Sequence, residues 1–308
     1  MAHPAENRTT PELVRGRTTL GDFDLTILTD GHYFLDGGAM FGVVPKPLWE
    51  KRAPADEQNR VLLGTNTVVV RTGRHTVVIE TGIGNKLPDK IRSIYGAQQL
   101  LPASFAAAGI RPEEVDIVIN SHLHFDHAGW NTTRTSSGAI VPTFPNAQYF
   151  AHRGEVEHGH LQLERDAISY VGDNYDPLIA SGQMTLLDVT SASGPVEIVP
   201  GISVDAYPGH TAQLMAINID SGGRRACYIS DLLPTSAHLD LTWVMGYDLD
   251  PIECIAQRKR FYSRAIPEQW LVLFTHDHHS PMGFVEWNDK GKPMLKPLSV
   301  SGSQPQAM

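Results

Sequence analysis

The sequence predicts an α/β protein built as an αββα sandwich, two sheets packed face to face with helices outside. Three observations carry that prediction. Strand groups alternate with single helices, the order strands, helix, strand occurs twice along the chain, and no Pro/Gly/Ser-rich linker divides the two passes. With 308 residues, 41% of them hydrophobic, the chain can bury one large core.

FDLTILTD, residues 23–30, alternates apolar and polar side chains and reads as a strand. NTVVVRTG and HTVVIETG follow as a hairpin turned at Gly73 and Arg74. Residues 98–108 are apolar at helical spacing and stop at Gly109, after which VDIVINSH returns as a buried strand. In the second pass, residues 151–179 are expected to be helical, and 185–188 and 196–207 to be short strands. LMAINIDSGGRRACYIS forms a hairpin whose Gly222 and Gly223 allow positive φ. Pro251 opens the last helix, which runs to Arg264, and WLVLFTHD is another apolar strand before a terminal hairpin, FVEWNDKGKPMLKPL. One domain over 19–300 is expected, between a flexible segment at 1–18 and a frayed tail at 301–308.

The formal charge of -9 and the lack of any basic run disfavour nucleic acid, whose binding draws on Lys and Arg against phosphates. No apolar run supports a signal peptide or a membrane span, so a cytoplasmic enzyme without a membrane partner is expected. The two cysteines, Cys227 and Cys254, lie in apolar runs and read as buried thiols.

The chemistry concentrates in SHLHFDHAGW, residues 121–130, where His122, His124, Asp126 and His127 fall within six residues just past an apolar strand. Four donors packed that closely can converge on one point, and imidazole with carboxylate suits zinc or a similar divalent ion. Further donors follow at the ends of later apolar runs: His210 in PGHT, Asp231 in ISDL and His276 in LFTHD. His278 and His279 compete with His276 for the last place.

HLHFDH, then GHT, then SDL, then a histidine after a late strand resembles the metallo-β-lactamase superfamily in its dinuclear form. The resemblance implies that His122, His124 and His210 hold one ion, Asp126, His127 and His276 the other, and that Asp231 bridges them. Two divalent ions are then expected, zinc first, with manganese, iron and cobalt as alternatives. Such a pair lowers the pKa of a shared water toward neutrality, so the nucleophile would be hydroxide formed from that water. Asp126 and Asp231 are thereby the catalytic carboxylates. Where the superfamily carries an aspartate before TG, this chain has Glu80, expected to accept a hydrogen bond from a ligand imidazole.

The pattern is similar to that of quorum-quenching lactonases and methyl-parathion-hydrolase-like enzymes, which implies a hydrolase of small, neutral, apolar esters: aryl esters, phosphotriesters or lactones. The alternatives are a glyoxalase-II-like thioesterase and a non-hydrolytic redox or sensor protein. The lactonases of that group carry a tyrosine shortly after the bridging aspartate, where this chain has Leu232, Leu233 and Pro234. Phe41, Trp130, His238, Trp243 and Tyr247 are the candidate substrate contacts, with His238 or Tyr247 able to replace the tyrosine. The resemblance further implies a homodimer, with the apolar stretch at 35–49 as a candidate surface patch.

Overall fold

The computed structural model describes residues 11–298 and the pair 306–307. The first sheet collects β1 (Val14–Leu20), β2 (Phe23–Asp36), β3 (Arg60–Arg71), β4 (Thr76–Ile79) and β5 (Ile117–Ile119). Beyond a small hairpin of β6 (Thr132–Arg134) and β7 (Ile140–Pro142), β8 (Gln148–His152) and β9 (Met184–Leu187) extend it to one edge. The second sheet runs in chain order through β10 (Val196–Val199), β11 (Ile202–Ala206), β12 (Met215–Ser221), β13 (Arg224–Tyr228), β14 (Leu271–Leu273), β15 (Met282–Trp287) and β16 (Pro293–Pro297).

Ile27, Val68, Val70 and Ile79 of the first sheet share one core with Ile202, Ile217, Ile219 and Leu273 of the second. The opposite face of the first sheet, with Leu28, Val69, Val78 and Val118, packs under Leu101 and Phe105. That of the second, with Cys227 and Val272, packs under Phe261 and Tyr262. This is the αββα sandwich. Strands buried on both faces have no polar side to show, which is why TVVV, TVVI and DIVI read as continuous apolar runs.

The two passes match in detail. The antiparallel hairpin β3–β4 leads through the helix Leu101–Ala108 to β5, parallel to β4. The hairpin β12–β13 leads through the helix Pro251–Ala265 to β14, parallel to β13. A tight turn cannot join parallel strands, so each helix is an obligatory crossover, and each crossover returns the chain to the same sheet end. Gly109 closes the first helix in the left-handed conformation, and the Asp250 carboxylate caps the second by accepting from Glu253 N.

Three boundaries differ from those expected. β1 begins at Val14, inside the supposed flexible segment, because Thr18 and Leu20 are buried as it pairs with β2. Gln306–Ala307, in the supposed frayed tail, forms β17 alongside Thr18 and Thr19; the rest of 299–308 and residues 1–10 lie outside the described residues. The helix expected over 151–179 is two pieces, Arg153–Leu161 and Asp176–Ala180, since Gln162 turns left-handed (φ 47°) and the chain between is held by its own bonds, such as His158 Nε2 to Asp166 Oδ2 at 2.7 Å.

β2 is long because it is bulged. Thr29 pairs with Asn66 but His32 pairs with Gly64, so β2 carries one extra residue at Asp30–Gly31, and Gly31 takes φ 111°. Buried Asp30 accepts hydrogen bonds from Ile83 N, Gly84 N, Leu101 N and the Trp130 indole, at 2.8 to 3.2 Å. It ties the bulge to the start of a helix and to two loops. Asp30→Ala would leave those donors buried without an acceptor. Unfolding free energy measured by denaturant titration should fall by on the order of 3–5 kcal/mol. A loss below about 1 kcal/mol, the worth of one ordinary hydrogen bond, would refute this anchoring role.

Candidate metal centre

The loop after β5 carries its donors in a fixed frame. His124 N-caps the one-turn helix Phe125–Ala128, which holds Asp126 and His127. Gly129 follows against the backbone of residues 82–84, where a Cβ would lie 2.0 Å from the Ile83 carbonyl carbon. Only glycine fits that approach. His210 follows β11, Asp231 follows β13 and His276 follows β14, so strand ends of the second sheet supply the rest.

The predicted ligands form two triads, and a third grouping, Glu80 with His122 and His127, overlaps both. His122 Nε2 lies 3.0 Å and His210 Nε2 3.2 Å from His124 Nδ1. In the second triad, His276 Nε2 is 3.2 Å from His127 Nε2 and 3.7 Å from Asp126 Oδ2. Within each triad the candidate donor atoms lie within 4.8 Å of one another. Asp231 stands between them, with Oδ1 3.1 Å from His276 Nε2 and 3.4 Å from His127 Nε2, and Oδ2 3.5 Å from His210 Nε2. His278 and His279 are in neither triad; the His278 ring packs 6.1 Å from that of His32.

The donor set fits metal ions. Tetrahedral ligands at zinc–nitrogen distances of about 2.0–2.1 Å stand about 3.3 Å apart, close to the spacings seen. Asp231 Oδ1 is buried, faces imidazole nitrogens and makes no hydrogen bond. The far side of several rings is also occupied: His122 Nδ1 meets Ser121 Oγ at 2.9 Å, His210 Nδ1 meets Asp248 Oδ1 at 3.0 Å and His276 Nδ1 meets Gly64 O at 2.9 Å. These contacts set ring orientation and point each Nε2 inward.

Burial, reinforced by neighbouring imidazoles, holds His122 and His124 well below the usual histidine pKa and keeps their lone pairs free. Burial also opposes charge on His127 and His210, but Asp231, with Asp126 beside the one and Asp248 beside the other, raises both. Burial would raise Asp231; His276, His127 and His210 outweigh it and hold the carboxylate well below its ordinary value.

Glu80 is buried at the end of β4 with φ 60°. Its oxygens accept from Ser121 N at 2.8 Å and from Asn120 Nδ2 at 3.3 Å, while His127 Nδ1 is 3.8 Å away, beyond a hydrogen bond. The carboxylate therefore braces the loop backbone more closely than it braces an imidazole.

A pocket opens over the triads, walled by Tyr33, Met40, Tyr95, Phe125, Met245 and Tyr247. Of the expected substrate contacts only Tyr247 is there. Trp130 is buried in the core with its indole on Asp30. Phe41 is sandwiched between Trp49 and His238 at 5.2 and 4.5 Å, and Trp243 is covered by the Arg52 guanidinium at 4.0 Å. His238 spends both nitrogens, on Thr235 Oγ1 at 2.8 Å and Met40 O at 2.9 Å. Trp130, His238 and Trp243 lie near ligands in sequence and Phe41 does not, yet packing directs all four away from the mouth of the site. The stretch at 35–49 divides likewise, burying Phe41 and Trp49 while leaving Val43 and Leu48 exposed.

Sequence reading missed Tyr33, Tyr95 and Asp248. Tyr33 stands just past Gly31, and a glycine inside a strand pattern is the available signal of a bulge. Asp248 lies in an irregular loop where no periodicity marks it.

The class that fold and site define is confirmed by comparison. The chain belongs to the metallo-β-lactamase superfamily, whose family model matches residues 60–290. An N-acyl homoserine lactonase of Bacillus cereus is 27% identical over 177 residues, 57% of this chain and 61% of that protein. The match thus spans less than two thirds of that relative's length. A probable metal-dependent hydrolase from Staphylococcus aureus has the same fold at TM-score 0.80 and 31% identity, over 92% of this chain and 100% of that one. A dizinc quorum-quenching lactonase, AidC, in complex with a product, gives TM-score 0.76 at 19% identity over 94% and 99%, a likeness of fold. No helix among the described residues is long and apolar enough to cross a membrane.

His238 makes stability depend on pH. Burial, partly offset by the bond to Met40 and assisted by Arg258, lowers its pKa to about 4. The unfolded chain takes a proton near pH 6.5 that the folded chain refuses, so this contribution is whole above about 6.5 and is lost as pH falls toward 4. Between pH 7.5 and 5 it amounts to about 2 kcal/mol. Unfolding free energies of wild type and His238→Gln should diverge in slope by that amount, the variant being flatter. Parallel slopes would show that His238 does not titrate on unfolding.

Proposed function

We propose that the protein is a metal-dependent hydrolase of small neutral esters, with lactones as the preferred class. The carrying observation is the pairing of two donor triads, joined at Asp231, with an apolar pocket that presents tyrosine hydroxyls. His122, His124 and His210 would hold one divalent ion and Asp126, His127 and His276 the other, zinc being the first candidate. When bound, the ions would supply Lewis acidity and an activated water.

The chain's own residues would then position substrate and assist the leaving group. Leu35, Met40, Phe125 and Met245 offer apolar wall, and Arg165 and Asp166, which also line the pocket, carry opposite charges, which together suit a substrate without net charge. Burial, with Tyr95 nearby, pushes the Tyr247 hydroxyl up to about 12, so it is a phenol at neutral pH and donates a hydrogen bond. Among the described residues neither the Tyr247 nor the Tyr95 hydroxyl has a hydrogen-bond partner, which leaves both free for a substrate oxygen. His238 is excluded from that task because both its nitrogens are engaged.

The absence of a tyrosine behind Asp231 by itself favours good leaving groups, such as those of aryl esters and aryl phosphotriesters. Tyr247 alters that balance, because an alkoxide leaving a lactone needs a proton that a phenolate leaving group does not. The similarity to N-acyl homoserine lactonases supports the same preference.

The test compares catalytic efficiency on an acyl-homoserine lactone, a nitrophenyl ester, a dialkyl aryl phosphotriester and lactoyl-glutathione. The lactone should lead, and Tyr247→Phe should cost it about 100-fold while costing the nitrophenyl ester far less. Preference for the glutathione thioester, or equal losses on lactone and aryl ester, would overturn this reading.

A further inference from the structure

We infer that Tyr33 is the positioning residue for Asp126, aimed at it by the bulge in β2. The inference rests on the metal-centre reading above. It concerns a residue nearly a hundred positions from its target and on a different element.

The bulge decides where Tyr33 points. Before it, Leu25 and Ile27 pair with Val70 and Val68 and face the core between the sheets. Strict alternation would put every later odd-numbered residue of β2, Tyr33 included, on that same face. The extra residue at Asp30–Gly31 reverses the alternation, since a slip of one residue turns every following side chain over. Tyr33 consequently pairs with Leu63 and joins Met40, Ile83, Phe125 and Met245 in a separate cluster at the site. Asp30, held by its ring of donors, keeps the bulge from annealing.

At that place the buried Tyr33 hydroxyl donates to Asp126 Oδ2 at 2.7 Å. It is the one hydrogen-bond donor to Asp126 side-chain oxygens among the described residues. The imidazoles have partners of their own in Ser121, Asp248 and Gly64; Asp126 has Tyr33. A carboxylate on a one-turn helix can rotate about its χ angles, and a single fixed donor on one oxygen removes that freedom. The hydroxyl is also 3.4 Å from His276 Nδ1, but that nitrogen has the shorter contact to Gly64 O. Tyr33 therefore acts on the second triad through its carboxylate and leaves the first triad untouched.

Tyr33→Phe keeps the ring and deletes the hydroxyl. Zinc affinity of the metal-stripped protein, titrated against a chromophoric chelator, should weaken about 10- to 100-fold at one of two binding steps and stay unchanged at the other. In an Asp126→Ala background, which leaves the Tyr33 hydroxyl no side-chain oxygen to donate to, the same substitution should add no further loss, because its route of action is already gone. Leu63→Ala, which loosens the same packing without touching the hydroxyl, should leave both steps as in wild type. Denaturant unfolding of each metal-free variant, measured alongside, separates a lost fold from a lost donor. Wild-type affinities in Tyr33→Phe, an equal loss in the Asp126→Ala background, or the same loss in Leu63→Ala would each overturn the assignment. Fewer than two zinc ions on the wild-type protein would overturn the metal-centre reading itself, and the role of Tyr33 with it.

Discussion

Five imidazoles and two carboxylates, each nine-tenths or more buried, share a small volume beneath the pocket, and their hydrogens do not suffice to pair them. Gly64 O can only accept, so the hydrogen of neutral His276 resides on Nδ1 and leaves Nε2 bare. Asp248 places the hydrogen of His210 on Nδ1 in the same way. Two inward lone pairs therefore confront further nitrogens and the oxygens of Asp231 at 3.1 to 3.5 Å. Positive charge is what such an assembly requires. Asp231 raises the affinity of His127 and His210 for a proton, and metal ions would answer the need for positive charge more completely.

The fold's contribution is to bring those groups together from two sheets without strain spread through the core. Each pass ends a strand beside its parallel partner, and at two of those ends a residue with a side chain adopts a left-handed backbone: Glu80 after β4 and Ser230 after β13, with φ of 60° and 52°. Both are buried beside the donors. Backbone strain of this kind persists only where the surroundings over-determine it. At Glu80 they do so through Ser121 N and Asn120; at Ser230, through the 2.7 Å contact of its hydroxyl with Ser121 Oγ. Ser121, next to His122, is thus the point where the two sheets' strained ends meet.

The candidate ligands were legible in the sequence because the motif loop, His210, Asp231 and His276 each begin within four residues of a strand's end, and such a short loop offers few directions for the side chain. The sandwich was legible for a related reason, since helices between parallel strands leave a pattern of period and length. The pocket wall was not. Phe41, Trp130, Trp243 and His238 are apolar or aromatic, and all but Phe41 lie close to ligands along the chain, but which way each faces is settled by long-range packing such as the Phe41–His238 stack. Tyr33 was hidden for a sharper reason: alternation assigns it to the wrong face, and one inserted residue corrects the error. The helix expected over 151–179 failed because its sequence keeps some helical polarity while Gln162 and the Asp166 contacts take the backbone elsewhere.

Whether Asp231 joins two ions is open to direct measurement by anomalous diffraction at the zinc edge from crystals of the zinc-loaded protein. The account predicts two peaks about 3.5–4 Å apart, one among His122, His124 and His210, the other among Asp126, His127 and His276, with the Asp231 carboxylate between. A single peak, or a second one away from Asp126 and His276, would contradict it.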